Sequence, residues 1–329
     1  MKMPDFPASA PKVVYWQGPE DLHELVYVHS RSFVTNFSLE NSPEIQEKQI
    51  YSEHIYIEKS ELLEIIDIAI SSTGFQPQGV GVELGAGCAA ISVELVKSNP
   101  EINKIYAVEI VPEIVEFAAV PLIDMHMNNE KVIPVVGDFD SLKLKDESID
   151  FIVEFDSLHH SFNLEKTIAE SGRVLKSGGQ LLAIDRSHWS ASKRRRLELE
   201  NQEYSIKFLE DRGIPVETRI TRADNGEHEY LLSEYIGAFK HAGFSEIKWV
   251  FLIDPSLSIL KLALISSVSS RFRKNTRFHY VQTWPLRKLL FPVILMRLFK
   301  IQRVGSFVNF PKANGSKRFQ AKTVLIATK

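Results

Sequence analysis

The sequence predicts an α/β protein built on an open, mostly parallel sheet. Three observations carry this. Short apolar runs recur between residues 80 and 185, separated by segments of helical composition. The first run breaks into a glycine turn that restarts as a helix. The runs that follow end in or beside acidic residues, and a parallel sheet gathers such strand ends at one edge, where open α/β sheets bind ligands.

Residues 1–73 precede the first of these strands. Pro4, Pro7 and Pro11 mark an irregular arm, and no charged-then-apolar leader pattern follows Met1. The stretch from Tyr15-Trp16 to Ile57 is rich in aromatics and histidines: Tyr27, His29, Phe33, Phe37, Tyr51, His54 and Tyr56. Apolar spacing predicts a helix over 60–71. We expect 1–73 to be an N-terminal helical cap, with most aromatics in its own core and some facing a substrate pocket.

The first core strand reads Val80-Gly-Val-Glu-Leu84 and runs into Gly85-Ala86-Gly87. Without Cβ atoms, the two glycines let the backbone turn sharply and approach a ligand. The following segment, 88–97, has helix composition, so its free N–H groups face that ligand. Gly85, Gly87 and Ala90 satisfy the dinucleotide fingerprint, which keeps a nicotinamide cofactor open on the glycines alone. Glu83 points elsewhere: a carboxylate beside the turn repels a pyrophosphate and attracts an ammonium group.

The next strand, 105–109, ends in Glu109, followed by Ile110. A carboxylate there can accept both hydroxyls of a ribose. The third strand, 132–136, runs into Gly137-Asp138-Phe139, a carboxylate and a ring suited to an adenine amine and its π-face. The fourth, 150–155, carries Glu154 and leads to Asp156, His159 and His160. Histidine titrates in the range useful for removing a hydroxyl proton, so His159 or His160 is the base candidate and Asp156 an orienting carboxylate. An amine acceptor needs only deprotonation and alignment, with Glu154 or Asp156 accepting its hydrogen bonds. A fifth strand spans 180–185, and the final one 323–328.

These segments together resemble the class I S-adenosylmethionine-dependent methyltransferases, with a type 11/25-like core. The resemblance rests on Val82-Glu83-Leu84-Gly85-Ala86-Gly87, Glu109, Gly137-Asp138, Asp150-Phe151-Ile152-Val153 before Leu158-His159-His160, and Arg173-Val174-Leu175-Lys176-Ser177-Gly178-Gly179. It covers about residues 75–186 and resumes weakly at His241-Ala242-Gly243-Phe244 and the last strand. It implies a Rossmann-like, seven-stranded, mostly parallel sheet with an antiparallel last strand. It also implies S-adenosylmethionine as cofactor and S-adenosylhomocysteine as product. Glu83 would lie at the methionine end, Gly85, Ala86 and Gly87 under the cofactor, Glu109 and Ile110 at the ribose, and Gly137, Asp138 and Phe139 at adenine, with Glu154 nearby. Ala89 stands where many members have a third glycine.

The core is expected over 74–254, with an insertion at 187–227. That insertion holds Trp189 and the basic run Lys193-Arg194-Arg195-Arg196; His228 and Tyr230 follow it as substrate candidates. Residues 255–329 carry 15 Lys and Arg and no Asp or Glu, so the rest of the chain holds 24 of the 39 basic side chains and all 42 acidic ones. Residues 255–318 therefore form a basic amphipathic insertion ahead of the last core strand at 319–329. It suits docking on an anionic membrane or a lipid-linked substrate, or packing against the acidic body. No stacking module accompanies the charge, so nucleic acid is not favoured. Cys88 is the lone cysteine and no 18-residue apolar run exists, which points to a cytoplasmic enzyme, peripheral at most to a membrane. No metal-spaced Cys/His cluster is present.

The expected reaction is methyl transfer to an oxygen or nitrogen of a small-molecule acceptor, such as a sugar, a natural product or a lipid-linked compound. The alternatives are an NAD(P)-dependent oxidoreductase, or a membrane-surface or partner-binding protein with a vestigial nucleoside pocket.

Overall fold

The structure, a computed structural model, describes residues 12–16, 43–51, 59–126, 131–187, 192–210, 214–217, 219–253, 305–309 and 322–329. Nine strands form one sheet among them: β1 Val14–Tyr15, β2 Gly79–Leu84, β3 Ile102–Glu109, β4 Val132–Val136, β5 Ile149–Phe155, β6 Leu175–Asp185, β7 Glu246–Ile253, β8 Gly305–Asn309 and β9 Thr323–Thr328. Their order is β1-β4-β3-β2-β5-β6-β9-β7-β8. All neighbours are parallel except β9, which runs antiparallel between β6 and β7. The seven expected strands and the antiparallel last strand are therefore present. Two short strands extend the edges, β1 beyond β4 and β8 beyond β7.

Both faces of the sheet are covered, which is why its strands are near-continuously apolar. Alternate residues of each strand serve opposite layers: Val153 and Ala107 face one, Ile152 and Val108 the other. On the first face lie α2 (Lys59–Thr73), α3 (Ala90–Ser98) and the helical stretch 112–126, here α4, through Leu62, Ile65, Ile91 and Leu122. The second face takes α5 (Leu164–Val174) and α8 (Leu232–His241) through Ile168, Tyr235 and Phe239. A further helix, α1 (Pro43–Ile50), precedes α2, and α6 (Lys193–Glu200) and α7 (Ile206–Glu210) lie between β6 and α8.

Local chemistry explains where elements depart from expectation. The helix after the glycine turn begins at Ala90 rather than Cys88, because Ala89 sits in the left-handed region at φ 60° and closes the turn first. Strand β6 begins at Leu175, five residues before the expected Gln180. Its register against β5 shifts between Ile149 and Phe151, next to Gly178 at φ 79°. The segment read as a basic insertion contributes β8, and the segment read as a helical cap contributes β1. A two-residue strand such as β1 is too short for alternation to betray it. Of the aromatics expected in the cap, Tyr15, Trp16 and Tyr51 are described; the others named above lie outside the described residues.

Candidate active site

The turn after β2 is built by contacts that only glycine permits. Gly85 has φ 61°, and a Cβ on it would lie 2.4 Å from Ser157 Cβ and 3.7 Å from the Phe139 ring. Gly87 has φ 50°, but a Cβ there would meet nothing within 4 Å among the described residues, so the space over it is open to them. Its N–H donates to Glu109 Oε2 at 3.0 Å, while Ile110 and Val111 N–H donate to Oε1 at 2.8 and 3.0 Å. Ala86 N–H donates to Val108 O and Gly137 N–H to Glu109 O, at 2.8 and 2.9 Å. Asp138 Oδ1 accepts from Asp140 N–H at 2.7 Å. The ends of β2, β3 and β4 thus bring Gly85, Ala86, Gly87, Glu109, Ile110, Gly137, Asp138 and Phe139 to one edge. Trp16 packs on Gly137, 3.1 Å from where a Cβ would stand.

Glu83 is buried and accepts from Ser92 N–H at 2.9 Å and from Ser92 Oγ. Burial pushes its carboxyl up to about 7. Burial likewise raises Glu109, against the pull of its three backbone donors. Glu154, at the end of β5, is fully buried. Its Oε2 accepts from Ser157 N–H, Ser157 Oγ and Leu158 N–H at 3.0, 2.9 and 3.1 Å, so it holds the turn that carries the histidines. Burial and the nearby Asp185 both raise its pKa. Glu154 Oε1 has no hydrogen-bond partner among the described residues.

Asp156 follows at φ 55°, a conformation that side chains other than Asn and Asp rarely adopt, and a short Leu158–His160 turn comes next. His159 is buried, and its Nδ1 lies 2.7 Å from Asp185 Oδ1 at the end of β6. A carboxylate can only accept, so Nδ1 carries the proton of this bond. Asp185 is bound from three more directions: His159 N–H and Tyr235 OH to Oδ2 at 2.8 and 3.0 Å, and Arg186 N–H to Oδ1 at 2.6 Å. The His160 ring lies 4.3 Å from that of His159. Asp156 Oδ1 is 3.8 Å from His159 Nδ1 and pairs with Lys322, which precedes β9 and also lies over the Phe155 ring. Burial opposes the charge on Asp156, but Lys322, His159 and Arg186 hold its carboxyl well below the usual range.

The segment after α7 closes on this cluster. His228 N–H donates to His159 O at 2.8 Å, and its ring stands edge-on to Phe162 and near Tyr230, at 5.5 and 5.7 Å. Burial lowers the pKa of His228. Tyr230 OH donates to Ser161 O at 2.6 Å. Glu227 takes Arg186 at 2.7 Å and Arg222 at 3.0 Å, tying the segment to β6. In the basic run, Arg194 and Arg195 pair with Glu198, and Arg196 with Glu234. Trp189 lies outside the described residues.

Asp185, Lys322 and Tyr235 escaped the sequence reading. Asp185 carried the same signal as Glu109, an acid closing a strand, but nothing local says which strand-end acid meets His159. Ligating atoms of Asp156, His159 and Asp185 lie within 4.8 Å of one another, although no metal-spaced cluster exists in the sequence. The Lys322 ammonium already supplies the positive charge at Asp156.

Residues 82–183, from the strand before the glycine turn almost to the end of β6, match the family model described as a methyltransferase domain. No curated protein matches the sequence. Among solved structures, it resembles the YcgJ protein of Bacillus subtilis at 18% identity, covering 80% of this chain and 96% of that one, with a TM-score of 0.44. Phosphoethanolamine N-methyltransferase 2 of Haemonchus contortus is 12% identical, over 95% of this chain and 61% of that one, with a TM-score of 0.48. The [4+2]-cyclase SpnF is 14% identical over 93% of both chains, with a TM-score of 0.47. The matched stretch stops two residues short of Asp185, and the residue before β9 and the segment before α8 supply further residues of this cluster.

Proposed function

We propose that this protein is a methyltransferase that uses S-adenosylmethionine and transfers its methyl group to an oxygen or nitrogen of a small-molecule acceptor. The observation that carries this is the hydrogen bond from Gly87 N–H to Glu109, beside open space over Gly87. It joins the glycine turn to the carboxylate suited to a ribose. The residues fit the cofactor in a second way. Glu83, buried with no cation beside it among the described residues, holds its proton to about 7, and an ammonium group next to it would stabilise the charged form.

In this reading Glu83 faces the amino-acid end, Gly85, Ala86 and Gly87 lie under the sulfonium-bearing chain, and Glu109 and Ile110 hold the ribose. Gly137, Asp138 and Phe139 take the adenine, and Glu154 braces the turn below. When bound, the cofactor supplies an electrophilic methyl group. The chain's part is to align the acceptor, exclude water and handle its proton, through His159, His160 and Asp156, with His228 and Tyr230 closing the acceptor side. Calorimetry with S-adenosylhomocysteine tests the donor. Wild type should bind it, and Glu109→Ala and Asp138→Ala should each weaken binding by about tenfold, the size of a lost hydrogen bond to a charged group. Unchanged affinity in both variants, or binding of NADH in its place, would refute the assignment. We also propose, from the charge of residues 255–318, that this segment docks the enzyme on an anionic lipid surface.

A further inference from the structure

We infer that the acceptor atom is a hydroxyl oxygen, with His159 Nε2 as its base and Asp185 as the positioning residue. This rests on the methyl-transfer reading above and decides between the oxygen and nitrogen that it leaves open. Asp185 is 1% exposed, and both its oxygens are committed: Oδ1 to His159 Nδ1 and Arg186 N–H, Oδ2 to His159 N–H and Tyr235 OH. Four donors on one buried carboxylate fix its position. It in turn fixes the imidazole ring from both its backbone and its Nδ1. With the proton held on Nδ1, the other ring nitrogen is left as a basic lone pair.

Such a device matters most for an acceptor that must lose its proton during the transfer itself. A neutral amine attacks through its lone pair and yields an ammonium ion, which can lose its proton afterwards to water. A hydroxyl must shed its proton as the new bond forms, because a protonated ether is a strong acid. The balanced step is this: the O–H bond breaks and its proton passes to His159 Nε2. The oxygen lone pair forms the O–CH3 bond as the carbon–sulfur bond breaks, and that electron pair stays on sulfur. The imidazolium, stabilised by Asp185, then releases its proton to water. Asp156 beside His159 is matched within the chain by Lys322, and Glu227 by Arg186 and Arg222.

Nitrogen-15 NMR of the histidine-labelled protein with S-adenosylhomocysteine reads the tautomer directly, with the His159 signal assigned by its loss in His159→Gln. The expected result is a proton on Nδ1 in wild type and a changed tautomer ratio in Asp185→Asn. Methyl transfer from S-adenosylmethionine is then followed on paired probes, phenol with aniline and benzyl alcohol with benzylamine. Methyl should appear on the hydroxyl members. Asp185→Asn should lower kcat by about 10²-fold with the affinity for S-adenosylhomocysteine unchanged. Tyr235→Phe keeps both members of the pair should Asp185→Asn fail to fold, and should lower kcat about fivefold. A wild-type His159 protonated on Nε2, methylation of the amine members, or wild-type turnover in folded Asp185→Asn would each overturn the inference. Failure of wild type to bind S-adenosylhomocysteine would instead overturn the choice of methyl donor.

Discussion

Gly85 and Gly87 occupy the same turn and the same backbone region, yet the fold needs them for different reasons. At Gly85 a side chain would strike Ser157, so Gly85→Ala combines left-handed strain with a clash. We expect it to cost about 2–4 kcal/mol of stability and to abolish binding of S-adenosylhomocysteine. At Gly87 a methyl group meets nothing within 4 Å among the described residues. Gly87→Ala should therefore cost the backbone term alone, about 1–2 kcal/mol, while still intruding on the ligand. Thermal melts with calorimetry separate the cases, and a Gly87→Ala protein with wild-type affinity would show that the opening is not the cofactor's. The pattern G-x-G is legible in sequence and makes no distinction between its two glycines. Ser157 makes it, from 72 positions further on.

Between elements, Glu83 is the link from β2 to α3, through Ser92. Its carboxyl normally titrates near 4.5 and in the fold keeps its proton to about 7. Between those values the unfolded chain binds fewer protons than the folded one, so this group's contribution to stability falls as pH rises across that window. The fall is on the order of 3 kcal/mol, and Glu83→Gln should remove it from melts taken between pH 4.5 and 7. Ligand binding should show the opposite slope. An ammonium beside Glu83 favours the charged form, so affinity for S-adenosylhomocysteine should tighten as pH rises toward 7. Affinity for 5′-methylthioadenosine, which lacks the amino group, should stay flat. Equal slopes for the two ligands would place the ammonium elsewhere. The elements themselves were largely legible: β4 and β9 begin and end where their apolar runs do. What escaped was β6's early start at Leu175, since Gly178 and Gly179 read as a turn, and the short edge strands β1 and β8.

Across the whole molecule, charge divides the chain into an acidic body and a basic region beyond residue 254. No helix among the described residues is long and apolar enough to cross a membrane. Each Lys or Arg near an anionic surface contributes about 1 kcal/mol. The protein should therefore co-sediment with vesicles containing phosphatidylserine at low salt and release at about 0.5 M salt, where charges are screened within a few ångströms. Reversing Arg287, Lys288 and Arg297 to Glu should abolish co-sedimentation while leaving methyl-donor binding intact. Co-sedimentation equal to wild type in that variant would assign the charge to packing against the acidic body.

The amino-acid sequence by itself determined the α/β class, the glycine turn, and the strand-end acids Glu109 and Asp138. Each of these is written in a few neighbouring residues, in the period of apolar positions and in the need for a missing Cβ. Only the tertiary structure decided that His159 is held by Asp185, that Asp156 faces Lys322, and that Tyr235 completes the carboxylate's shell. Those partners come from β6, from the residue before β9 and from α8, and strand order rather than sequence distance makes them neighbours. Inserting β9 antiparallel between β6 and β7 carries Lys322 to the strand ends where the glycine turn already lies, so a residue near the end of the chain completes a site begun at Gly85.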